Sequence, residues 1–224
     1  MGTLAVQRTD LRAKLDETSA RFWSDAQLTN FLNEGATDVA RRAEVLLDMR
    51  QIPLAVGVKE YLLPTNVFRL HRATATVDGG TTVYPLEFRD LNELDEIAGT
   101  RPNTQQYVPS FLTTRGYTPN LYAVLFPVPA AVGTLTVFYY RTPVIAVNDA
   151  DPIDVPTGWD DLPTLYAEYV ALRKDADPRW SEAKGLYEER LDSMIATTRQ
   201  AHDQGRYVVQ GTNMLPWWIY GDSY

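Results

Sequence analysis

Apolar side chains recur at three- and four-residue steps early in the chain, at Leu28, Phe31, Leu32, Val39, Ala43 and Leu46. That is the period of one buried helix face. Trp23-Ser24-Asp25-Ala26-Gln27-Leu28 gives the helix a defined start. Ser24 can cap a free amide of the first turn, and Gln27, three residues on, completes a capping box; Trp23 and Leu28 fall at the staple positions and are expected to pack together. The pattern predicts a helix of about six turns that ends before Pro53. Gly35 lies on its apolar face, where another helix could approach closely. A shorter helix around Leu11 and Leu15 precedes it, capped by Thr9 or Asp10.

From about Ile52 to Val147 the helical period gives way to Val, Thr, Tyr, Phe and Pro with turns at short intervals, a strand signature. Val67–Val77 and Thr81–Phe88 flank Asp78-Gly79-Gly80 and predict a hairpin. Leu121–Phe126 and Thr134–Arg141 predict a second pair, and Asp90–Ala98 a short helix with Leu91, Leu94 and Ile97 inward. Short connections imply antiparallel pairing.

Helical spacing returns at Leu162, Leu165, Tyr166, Tyr169 and Leu172, after a cap at Asp160 and with Pro163 in the first turn. Asp177-Pro178 opens a last helix whose buried stripe is Trp180, Ala183, Tyr187, Leu191, Met194 and Ile195, fraying before Gly205. The predicted fold is α+β. Residues 1–51 and 157–204 form a helical bundle, 52–156 an antiparallel β-rich insert, and 205–224 an extended C-terminal arm.

Composition removes whole classes of chemistry. Cysteine is absent and only His71 and His202 are present, so disulfides, thiolate catalysis and sulfur-ligated metal are excluded and imidazole chemistry is sparse. The net charge of −8 opposes a grip on DNA phosphates; it is compatible with lining a passage that DNA must not stick to. No apolar run is long enough to span a membrane, and the start lacks signal-peptide features. Synthesis in the cytosol is the expectation.

The arm is the most informative segment. Tyr207, Met214, Leu215, Trp217, Trp218, Ile219, Tyr220 and Tyr224 crowd the chain end, where exposure would invite aggregation and where aromatic rings carry binding energy at interfaces. They are read as a partner-binding surface, the alternative being an arm folded back over its own sheet. Arg206–Gln210 could add as a strand to a neighbour. The acidic loop 148–154 offers Asp149, Asp151 and Asp154, yet it lacks the Gly and terminal Glu of a calcium loop and reads as a loop preceding a helix. Glu188/Glu189 and Asp160/Asp161 are adjacent in sequence, so they diverge and do not converge on a substrate. His71 is expected to face solvent or a neighbour, and Arg41 and Arg42 to be exposed or to meet acids across a subunit contact. No catalytic residue, metal site or cofactor is assigned.

The order of motifs resembles a known family. Arg21-Phe22-Trp23-Ser24-Asp25-Ala26-Gln27-Leu28 with Phe31-Leu32-Asn33-Glu34 is similar to the opening of phage head-to-tail connector (adaptor) proteins. Tyr139-Tyr140-Arg141-Thr142-Pro143, the loop Asp149–Pro156, a helix with Leu165, Tyr166, Ala171 and Leu172, and an Asp-Pro helix with Tyr187 and Leu191 follow in the same order. The resemblance covers both ends of the chain and little of its middle. It implies a non-enzymatic virion protein, assembled in the host cytoplasm and placed in the neck. Twelve copies would form a ring beneath the portal, packed side by side through their helices, with the arm on the portal and the insert toward a tail or neck protein. DNA would pass through without sequence-specific binding. Other readings are a tail-associated carbohydrate-binding module, which helical flanks fit poorly, and a hydrolase using the acidic loop with a metal.

Overall fold

The computed structural model describes residues 2–17, 22–77, 79–80, 82–93, 96 and 108–210, with residues 200–210 described by their helical backbone alone. In order the elements are α1 (Leu4–Lys14), α2 (Asp25–Ala43), β1 (Leu47–Leu54), β2 (Glu60–Leu62), β3 (Val67–Val77) and β4 (Tyr84–Phe88). A helical segment described at 91–93 (α3) comes next, then β5 (Phe111–Arg115), β6 (Tyr122–Phe126), β7 (Gly133–Arg141), α4 (Leu162–Lys174) and α5 (Trp180–Gln210). The fold is α+β. It divides into a helical unit, residues 1–43 and 145–224, and a strand-rich unit, 44–144.

In the helical unit α2 packs on α4, α4 on α5, and α1 on both α2 and α4. The apolar face of α2 buries Leu28, Phe31, Leu32, Gly35, Val39 and Ala43. A Cβ on Gly35 would stand 2.9 Å from Tyr166 Cβ and 3.0 Å from both Cα and O of Pro163, so α4 comes within backbone reach of α2. In α5, Ala183, Tyr187, Leu191 and Met194 are buried, whereas Trp180 is exposed. Trp180 is the first residue of α5, at the helix end, where fewer neighbours flank a side chain than in mid-helix.

Several boundaries differ from those expected. Helix α2 stops at Ala43 and not before Pro53. Glu44 takes a left-handed φ of 50°, and Leu47–Leu54 pairs along its whole length with β7. An eight-residue ladder outweighs a helical period that only Leu46 prolonged, and Pro53 is tolerated because β1 is an edge strand. Helix α1 begins at Leu4, ahead of Thr9 and Asp10; the Thr9 hydroxyl instead donates back to the Ala5 carbonyl (2.9 Å). Asp161, not Asp160, is the N-cap residue of α4. Helix α5 continues past Gly205 to Gln210, so Tyr207 and the expected strand Arg206–Gln210 lie on a helix. Leu91 is exposed and not inward; Leu94 and Ile97 lie outside the described residues.

The strand-rich unit holds one seven-stranded sheet in the order β1-β7-β3-β4-β5-β6-β2. β3 and β4 form the expected antiparallel hairpin, with Ala73 opposite Leu86. β6 and β7 are both strands, but they do not pair. β6 lies between β5 and β2, and β7 between β1 and β3. Their six-residue connection contains Pro127 and Pro129 and is longer than the tight turns that fold a hairpin on itself. β4 and β5 run parallel, with Glu87 opposite Phe111, and the long connection between them allows the crossover that parallel pairing needs. Leu54, Leu63, Val67, Leu86, Leu112, Leu125, Leu135 and Val137 fill the core beneath the sheet.

Candidate interaction surfaces

The start of α2 is fixed by reciprocal capping. The Gln27 amide donates to Ser24 Oγ (3.3 Å), and the Ser24 amide donates to Gln27 Oε1 (3.0 Å). Each side chain thereby satisfies a donor that the helix itself leaves free. Trp23 and Leu28 are both buried; Trp23 meets Phe31 edge-on at 5.5 Å between ring centroids, and Phe22 at 4.9 Å. Arg12 of α1 ties this corner together. It donates to the Trp23 carbonyl (2.9 Å), to Asp25 (2.7 Å) and to Glu17 (3.3 Å), and the bond to Asp25 holds that carboxyl below its usual range. Phe22 remains 63% exposed on the outside of the corner.

The acidic loop is a clamp on α1. Thr3, the N-cap residue, makes no side-chain cap. The Leu4 and Ala5 amides donate to the carbonyls of Asp151 (2.9 Å) and Asp149 (3.1 Å), so the loop backbone does the capping. Arg8 adds an ion pair to Asp149 at 2.8 Å. The Asp151 carboxylate accepts the Val147 (2.9 Å) and Asn148 (2.7 Å) amides, and these bonds, Asn148 first, hold its pKa below the ordinary value. These carboxylates are committed to folding the loop. Among the described residues no three or more His, Cys, Asp or Glu gather as a metal site.

The outward side of α2 carries a groove of about 410 Å³ lined by Asn30, Glu34, Thr37, Asp38, Arg41 and Tyr166. Beside it Asn33 is buried and exchanges two hydrogen bonds with the Ala146 backbone, at 2.9 and 3.0 Å. Asp38 accepts from Tyr187 (2.5 Å) and lies 3.6 Å from Arg42. Arg42 pairs with Glu188 at 2.6 Å, within the subunit and not across a subunit contact. Asp161 binds Arg190 at 2.8 Å, and that guanidinium lies 4.3 Å over the Trp159 ring. Each adjacent carboxylate pair noted in the sequence thus supplies one member to an ion pair that joins helices or fixes a loop.

Of the arm, Tyr207 stands on α5 without a described side chain, and Met214, Leu215, Trp217, Trp218, Ile219, Tyr220 and Tyr224 lie outside the described residues. In the strand-rich unit His71 is exposed on β3, its ring 5.5 Å from that of Tyr140. Sequence reasoning missed the β1 edge, where Leu47 and Met49 are each about half exposed. The helical period running into Leu46 concealed it, although the short Leu47-Asp48-Met49-Arg50 alternation was a signal for it.

No helix among the described residues is long and apolar enough to cross a membrane. No curated protein matches the chain. Among solved structures, a chain from "Neck of empty GTA particle computed with C6 symmetry" is similar at 13% identity and a TM-score of 0.29, over 75% of this chain and 79% of that one. The family model for the SU10 adaptor protein matches residues 3–212, nearly everything from α1 to the end of α5, and the chain therefore belongs to the SU10 adaptor protein family.

Proposed function

We propose that this protein is a structural adaptor of a tailed-phage neck, and that its work is assembly and not catalysis. The observation that carries the reading is the family match across residues 3–212. The helical unit supports it: α1, α2, α4 and α5 act as a bundle whose copies pack side by side in a ring of twelve beneath the portal. The residues after Gln210, from Met214 to Tyr224, supply an apolar docking segment for the portal, and Tyr207 contributes from the end of α5. The strand-rich unit faces the next neck or tail protein. DNA passes through the ring without sequence-specific contact, in keeping with the net charge of −8. The protein assembles in the host cytoplasm and ends in the virion neck.

The test is to mix the purified chain with portal rings and determine mass and image by electron microscopy. A ring of this chain on the portal is expected. A variant ending at Gly211 should keep its circular dichroism and lose portal binding; normal binding by that variant would remove the arm from the proposal. Failure of the full chain to join any virion ring would remove the function itself.

A further inference from the structure

We draw no further inference here: the strongest candidate, the exposed patch of Val56, Val58 and Val132 on the β1–β2 and β6–β7 loops, which the Gly57 amide joins at the Pro129 carbonyl, carries nothing because nothing in the structure shows what covers it.

Discussion

The Tyr187 hydroxyl donates a 2.5 Å hydrogen bond to Asp38 Oδ2, tying α5 to α2 through a phenol that is 1% exposed. Tyr166 and Tyr169 of α4 lie 5.5 and 5.8 Å from its ring, so all three helices meet there. Burial, then the bond to Asp38, raises the Tyr187 pKa. Tyr187→Phe keeps the packing and removes the donor to a carboxylate. It should cost about 1–3 kcal/mol, read as a lower urea midpoint with unchanged slope.

The same pair sets an alkaline limit. A phenol whose folded pKa is raised contributes stability that is fully present below its unfolded value of about 10 and is lost as pH rises above it. Wild-type stability should therefore decline more steeply above pH ~10 than that of Tyr187→Phe. Parallel declines in urea titrations across that range would contradict the role given to Tyr187.

Two helical glycines should respond oppositely to alanine. At Gly35 a methyl would press on the Pro163 backbone at 3.0 Å, which cannot swing aside. The overpacking cost of about 1–3 kcal/mol exceeds the roughly 1 kcal/mol that alanine gains in a helix. Gly185 on α5 has nothing within 4 Å of such a methyl, so only the propensity gain of about 0.5–1 kcal/mol applies. Thermal melts should show Gly35→Ala below wild type and Gly185→Ala above it.

These sites also mark what the sequence could disclose. The faces of α2 and α5 and the opening of Gly35 toward another helix follow from spacing within a few turns, and local spacing is what a sequence displays. The end of α2 was misplaced because Leu46 suits both a helix face and a buried position before a strand; the deciding contact is Leu47 opposite Tyr140, far along the chain. β5 stayed hidden for the same reason, since its pairing with β4 is parallel and crosses a long connection. The clamp on α1 uses carbonyls of Asp149 and Asp151, and backbone groups leave no residue-specific signature. The acidic side chains suggested cation chemistry while the main chain beside them did the capping.

The capping box at Ser24 gives a graded series. Ser24→Ala leaves the Gln27 amide without its side-chain acceptor and should cost about 1 kcal/mol, whereas Ser24→Gly should cost only a few tenths. No loss for Ser24→Ala, measured by urea denaturation, would mean that the 3.3 Å bond from the Gln27 amide to Ser24 Oγ does not hold the start of α2.

The loop that holds α1 should give way in acid. The amides of Asn148 and Val147 depress the Asp151 pKa, so its stabilising effect is present above the unfolded carboxylate value of about 3.9 and is lost as pH falls through the lower folded value. Asp151→Asn cannot titrate and offers one weaker acceptor to the two amides. At neutral pH the variant should exchange its Leu4 and Ala5 amide hydrogens faster than wild type, because those amides depend on the carbonyls of Asp151 and Asp149. Below pH ~4 the two proteins should converge as wild-type Asp151 protonates. A metal-binding loop would behave otherwise: wild-type exchange at Leu4 would slow on adding calcium and quicken with chelator. Exchange indifferent to both, but sensitive to Asp151→Asn, is the result expected of a loop whose carboxylate serves the backbone.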